Sequence, residues 1–392
     1  MTNFDELCRT LEIVARPSSE ENLDKLIHWC KTNISTDSHY AGDLNARFGF
    51  YQKLTSKFLE KLQPNLQRDR LTTPLQALNN MTPLRWMVDL GFDVCLKALA
   101  PTREQINTRV DGLTLLQLAA IRGHLHTLEA LLTLGADPKE PITKGLPILI
   151  STLMLPISHD EQMVSNKEGI YRILSQYTDD INIIRNESED NILHIMATFG
   201  YTTLVQETLG RSIALVSTPN NFMHYPVHAA ILNAQRDCAK CLIAVEGIEK
   251  LTDAKERNAL HYAARYGDRE MVEICIQSPI AIDSVDNRHQ TPLILASRAQ
   301  NIDAVIALVA SGANVNARDD RQRTALHYAV EANDVNSVNV LLSCKAIEVN
   351  ASDDDGQTPL DLIQANTGDG DEINVLLMKK EAAHGTRPVR SV

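Results

Sequence analysis

Hydrophobic positions along this chain recur in short helical bursts, each bounded by turn residues. Val305, Ile306, Leu308 and Val309 form one such stripe, and Leu128, Leu131 and Leu132 belong to another. Apolar residues three and four apart share one face of a helix, so the spacing predicts many short amphipathic helices. The bursts come in pairs, and the pairs repeat. Thr291-Pro-Leu-Ile-Leu-Ala-Ser-Arg-Ala-Gln300 aligns with Thr324-Ala-Leu-His-Tyr-Ala-Val-Glu-Ala-Asn333, with Asn258-Ala-Leu-His-Tyr-Ala-Ala-Arg-Tyr-Gly267 and with Tyr225-Pro-Val-His-Ala-Ala-Ile-Leu-Asn-Ala234. Unit starts at 82, 114, 147, 191, 225, 258, 291, 324 and 358 are spaced by 32, 33, 44, 34, 33, 33, 33 and 34 residues. Only the unit at 147 breaks the period.

Each unit has a local logic. Thr or a substitute caps the first helix, and Pro at the next position loses no hydrogen bond there. Paired alanines (Ala119-Ala120, Ala263-Ala264) allow close helix packing. Gly123, Gly200 and Gly267 are expected to end their helices in a left-handed turn. A second helix follows, then an outward turn in which Asp253, Asp286, Asp319 or Asp353 opens the next loop. One pair cannot bury its own apolar face, whereas a stack of pairs can.

The pattern Thr-Pro-Leu-His-x-Ala-Ala-x-x-Gly, repeated nine times with drift, resembles the ankyrin repeat. The resemblance implies an all-α fold: a right-handed solenoid of about nine antiparallel helix pairs, with β-hairpin fingers, a concave face and an N-terminal helical cap. The expected organisation is a cap or small helical domain over 1–75, repeats over 76–380 and a flexible tail over 381–392. Phe4, Leu7, Leu11 and Val14 make one cap face, Ser18 and Glu21 a capping box, and Phe48, Tyr51, Leu54, Phe58 and Leu62 a further face. The eleven extra residues of the unit at 147, near 155–167, are expected to lengthen the connection between its two helices. That insertion reads equally as a surface loop and as part of a binding face.

Composition narrows the function. Hydrophobic residues at 44% and charged residues at 22% describe a globular chain. A net charge of -12 argues against duplex nucleic acid as partner. The acidic start, without an apolar core segment, predicts no secretory signal, and seven cysteines without framework spacing fit a reducing cytoplasm. The greasiest stretch, 146–157, is too short for a membrane span. Cys238-Ala-Lys-Cys241 has no second pair at zinc-finger spacing, so small buried hydrophobes is the favoured reading, extended to Cys275. His194, His228, His261 and His327 share one repeat position, which the resemblance makes structural, bonding neighbouring loops. No phosphate loop, zincin motif or nucleophile elbow is present. The expectation is therefore no catalysis, no cofactor and no metal. The alternative is an enzyme or enzyme adaptor using Cys8, Cys30, His28 or His39 in the N-terminal helices, or His159, Asp160 and Glu161 in the insertion.

The resemblance places a binding surface on finger-tip residues just before the Thr and on residues late in the first helix. Those positions hold Lys255, Arg257, Arg265, Tyr266, Arg288, Arg298, Arg321 and Arg323, against Asp320 and Glu331. The preceding units carry Phe199, Phe222, His224 and Leu232. Two readings stand side by side: a solvated charged face, and a groove with an aromatic and a basic end. Six arginines to one lysine favour the groove, because the planar guanidinium fork matches carboxylates and phosphates, so a phosphoinositide or nucleotide stands as an alternative ligand. The expected partner is then a protein with an acidic, partly apolar segment, bound by a monomer. In style the chain is similar to ankyrin effectors that intracellular bacteria translocate into host cells by type IV secretion.

Overall fold

The computed structural model describes residues 83–89, 91, 93, 96–97, 100–109, 112–139, 148–154, 161–178, 180–365 and 371–384. The predicted N-terminal helices over 1–75 lie outside the described residues, as do positions 385–392 of the tail. Everything described is helix, turn or loop, with no strand among the described residues. The chain divides into two compact units, 1–181 and 182–392. The first contains α1 (Pro83–Asp89), α2 (Arg103–Ile106), α3 (Leu115–Arg122), α4 (Leu125–Thr133), α5 (Ile148–Leu153) and α6 (Glu161–Ser175). The second contains α7 (Ile192–Phe199), α8 (Thr202–Arg211), α9 (Pro226–Leu232), α10 (Arg236–Ile243), α11 (Ala259–Tyr266), α12 (Arg269–Ile276), α13 (Pro292–Arg298), α14 (Ile302–Ala310), α15 (Ala325–Glu331), α16 (Val335–Ser343), α17 (Pro359–Ala365) and α18 (Asp371–His384). No helix of the described residues is long and apolar enough to cross a membrane.

Helix starts follow the residues predicted to make them. Thr114 Oγ1 accepts the Gln117 N–H, Asn258 Oδ1 that of His261, and Thr291 Oγ1 that of Ile294. Pro226 and Pro292 occupy first-turn positions. Gly123 and Gly200 end α3 and α7 at φ 76° and 79°, as expected. Gly267 does not: it is extended, at φ −83° and ψ 162°. The carbonyls exposed by that ending are taken from the next repeat, where Asn301 Nδ2 donates to Ala264 O at 3.1 Å and Gly267 O at 2.7 Å. Elsewhere the left-handed position is filled without glycine, by Ala234, Gln300 and Asn333.

Packing runs in two rows within each unit. In the second unit the first helices α7, α9, α11, α13, α15 and α17 pack one on the next, and the second helices α8, α10, α12, α14, α16 and α18 do the same. Ala263 and Ala264 between them expose nothing, nor do Leu260, Val272, Ile294, Val305 and Leu308. Burying each large aliphatic side chain contributes about 1.5–3 kcal/mol, mostly across repeat boundaries rather than within a pair. In the first unit α3 packs on α1, α4 and α5, and α6 on α4 and α5. There α6 runs fifteen residues, where the other second helices run eight to ten except α18 with fourteen. Part of the extra length of this unit therefore lies in a helix, on which Ile170 and Leu174 are buried. Lys167, read from sequence as inserted loop, is a buried residue of α6, and burial lowers its pKa.

The repeated histidines split. His194, His261 and His327 each point Nε2 at a carbonyl of the following finger: His224 O at 2.9 Å, Gln290 O at 3.1 Å and Gln357 O at 3.2 Å. His228 accepts the Tyr225 N–H at Nδ1, but its buried Nε2 makes no hydrogen bond among the described residues. Its ring lies instead flat on Tyr262, with centroids 4.3 Å apart. Burial pulls all four below the ordinary 6.5, His228 to about 3. Below pH 6.5 the unfolded chain binds protons that the folded chain refuses. Stability is thus full above about pH 6.5 and declines toward pH 3, by up to about 1.4 kcal/mol per pH unit per histidine. Urea melts at neutral pH should show His261→Leu costing roughly 1–3 kcal/mol and His228→Leu under about 1 kcal/mol, since only the former breaks two bonds. A His228→Leu variant should also show a shallower loss of stability between pH 6 and pH 4 than the parent, read from the same melts as a function of pH.

Candidate protein-binding surface

Six fingers precede the six helix pairs of the second unit, and one short side chain builds each. Oδ1 of Asn186, Asn220, Asp253, Asp286, Asp319 and Asp353 accepts the N–H groups two and four residues later. This is the turn that Asp and Asn side chains favour. The residue between the two donors is forced to positive φ, as at Glu256 (60°), His289 (54°) and Gln322 (58°). The β-hairpins implied by the resemblance are short turns without a strand among the described residues, closed by bonds such as Asp253 N–H to Arg257 O at 3.0 Å and Glu256 N–H to Asp253 O at 2.9 Å. Adjacent fingers are then tied by backbone. The Asn287, Asp320 and Asp354 N–H groups donate to Lys255, Arg288 and Arg321 carbonyls, each at 3.0 Å.

The sequence-predicted site residues fall into two groups. Phe222, Lys255, Arg288 and Arg321 all sit at the same finger position, two residues past the turn-forming Asn or Asp, and all are exposed. Arg265, Tyr266 and Arg298 end α11 and α13 and are also exposed. Arg257 and Arg323 depart from the expectation. Arg257 is largely buried and binds Asp253 Oδ2 through Nε at 2.9 Å and Nη2 at 2.5 Å. Arg323 joins Asp353 at 3.1 Å and Glu331 at 3.1 Å. Both charges are spent inside the protein, because the finger position next to the helix start faces the Asp carboxylates. The basic surface therefore narrows to Lys255, Arg265, Arg288, Arg298 and Arg321. None of these makes an ion pair among the described residues.

A run of rings joins the aromatic and basic residues. Phe222 lies 6.1 Å from His224, His224 5.5 Å from Tyr262, and Tyr262 6.0 Å from Tyr266, over which the Arg265 guanidinium sits at 5.2 Å. Phe222 is 64% exposed and Tyr266 51%, so both present apolar faces to solvent. Among the described residues Phe199, half-buried at the end of α7, joins no ring of this run. Beneath it, the Tyr262 hydroxyl donates to Asp253 Oδ2 at 2.8 Å and meets His224 Nε2 at 2.9 Å. Burial opposes ionisation of Asp253, but bonds from Arg257, Tyr262 and Lys255 outweigh it and bring the carboxyl to about 2. Burial and the Asp253 bond push the Tyr262 hydroxyl up. The arrangement recurs two repeats on: the Tyr328 hydroxyl donates to Asp319 Oδ2 at 2.5 Å, and burial with that bond pushes it to about 12. Tyr262 and Tyr328 went unread as site residues. Their signal was a Tyr nine positions after a finger Asp, absent from the intervening repeat, which has Leu295.

Other candidate chemistry is placed as follows. Cys238 is fully buried, and burial pushes its thiol to about 11; Cys275 reaches about 12 for the same reason. Cys241 is half-buried, with Gln206 Nε2 at 3.4 Å from its sulfur, so it is less hydrophobic in setting than expected. No group of three or more His, Cys, Asp or Glu among the described residues could hold a metal ion. Cys8, Cys30, His28, His39, His159 and Asp160 lie outside the described residues, and Glu161 opens α6.

Family models described as "Ankyrin repeats (3 copies)" match residues 193–282, 227–319 and 264–353, and one described as "Ankyrin repeat" matches 111–141. Curated relatives include the fruit-fly (Drosophila melanogaster) transient receptor potential cation channel subfamily A member 1, 26% identical over 52% of this chain and 17% of its own length. Mouse (Mus musculus) synphilin-1 is 27% identical over 34% of this chain and 15% of its own. The chain thus spans less than a fifth of either relative.

The two arginine groups should separate on substitution. Arg257→Ala strands the buried Asp253 carboxylate and should destabilise by roughly 2–5 kcal/mol, whereas Arg288→Ala should change stability by under about 0.5 kcal/mol. Chemical denaturation of the two variants checks this directly.

Proposed function

The chain carries ankyrin repeats, and from that premise we propose that its second unit binds an acidic, partly apolar segment of a partner protein without catalysis. Ankyrin repeats are an interaction fold. One observation carries the finer reading. Five exposed cations, Lys255, Arg265, Arg288, Arg298 and Arg321, stand without ion pairs among the described residues beside two exposed rings, in a chain of net charge -12. Such a local inversion steers an acidic partner, while Phe222 and Tyr266 supply the apolar anchors. Exposed Asp320 and Glu256 lie among these cations and moderate the field. A single chain is the binding unit in this reading. A similarity in style to host-directed bacterial effectors extends the reading to delivery into a host cell, an idea that unchanged delivery after removal of 385–392 would count against.

Affinity capture from a eukaryotic cytosolic extract tests the reading, with wild type beside Arg265→Glu/Arg298→Glu at low and high salt. The expected outcome is a partner whose recovery falls more than about tenfold with the variant and with salt, at unchanged helix content and melting. A partner held equally by both proteins would move the site away from this surface.

A further inference from the structure

Two rows of exposed side chains cross the second unit at one residue per repeat. The finger row reads Phe222, Lys255, Arg288, Arg321 and Asp355. The row late in the first helices reads Leu232, Arg265, Arg298 and Glu331. The rows belong to different elements, yet over three successive repeats they change character together. Both are apolar on the repeat starting at 225 and basic on those starting at 258 and 291. On the repeat starting at 324 they part, with Arg321 in the finger row and Glu331, held by Arg323, in the helix row.

The spacing of the rows is fixed. The backbone bonds into Lys255, Arg288 and Arg321 carbonyls lock each finger to the next with the same geometry. The helix-row arginines are held by rings rather than neutralised by carboxylates. Arg265 sits over Tyr266 at 5.2 Å; Arg298 sits over Tyr328 at 5.8 Å and donates to Gln290 Oε1 at 3.4 Å. An ordered, uncompensated guanidinium loses little freedom when it meets a carboxylate. Packed helices stand about 8–10 Å apart, and an extended chain advances about 3.3 Å per residue. One repeat therefore matches about three residues of an extended ligand.

We propose that the second unit reads an extended acidic peptide by register. An apolar residue lies against Phe222 and Leu232; carboxylates three and six residues away face Lys255 with Arg265 and Arg288 with Arg298. The proposal rests on the protein-binding reading above and specifies its ligand.

The test uses the full chain and fluorescein-labelled peptides of Ser, Ala and Gly, read by fluorescence anisotropy. One peptide carries Leu at its fourth position and Glu at the seventh and tenth. A second carries the same order reversed, and a third has the same composition with both Glu adjacent to Leu. The in-register peptide, in one of its two directions, should bind at least about tenfold tighter than the third. Arg265→Glu/Arg298→Glu should abolish that preference. Equal binding of all three peptides, lost on charge reversal, would overturn the register and leave the acidic-partner reading standing. Binding indifferent to charge reversal would overturn both. Failure of every peptide to bind would overturn the register alone, since the capture experiment judges the partner independently.

Discussion

Each finger of the second unit depends on one side-chain oxygen. Oδ1 of an Asn or Asp collects two backbone N–H groups that would otherwise be unpaired, and in doing so dictates the conformation of four residues. The tip residue, the positive-φ residue behind it and the direction of the next helix all follow. Because the same turn forms six times, the tips are placed at a common position and the backbone can bond finger to finger. Where the residue is Asp, the second oxygen remains available, and it decides what the surrounding side chains do.

Arginine is used in two ways as a consequence. At the finger position beside the helix start, Arg257 and Arg323 meet the Asp oxygens, and the ion pairs hold the fold. Removing water from a carboxylate costs several kcal/mol, so a buried finger Asp needs donors, and Arg257 and Tyr262 provide them for Asp253. At the tips and helix ends the carboxylates are out of reach. Arg265 and Arg298 lie against tyrosine rings, keeping their charge for whatever approaches. Tyr262 and Tyr328 serve both classes, with hydroxyls on the buried Asp and faces near an arginine.

The irregular places in the stack follow the same economy of polar groups. Gly267 avoids the left-handed turn because Asn301 of the next repeat satisfies the carbonyls at the end of α11. His228 gives up the finger carbonyl that its three counterparts bond, and stacks on Tyr262 instead. Both departures border the ring run that links Phe222 to Tyr266, so the repeat is least regular beside its most exposed apolar residues.

Sequence by itself determined the helix pairs, their period, their caps and the face each buries, because those depend on interactions within a few residues and on a spacing that recurs. It also located Phe222, Lys255, Arg265, Tyr266, Arg288, Arg298 and Arg321 at surface positions of the repeat. Only the tertiary structure decided which cations stay uncompensated. Arg323 is neutralised by an Asp thirty residues away, and the hydroxyl of Tyr262 meets a histidine thirty-eight residues before it. Such pairings depend on the juxtaposition of neighbouring fingers and on which oxygen of a carboxylate the turn has already used. The extra length near 155–167 was legible as a number of residues, but its partition between loop and helix was not. The packing of α6 against α4 and α5 decided that, since a helix extends as far as it has apolar surface to bury.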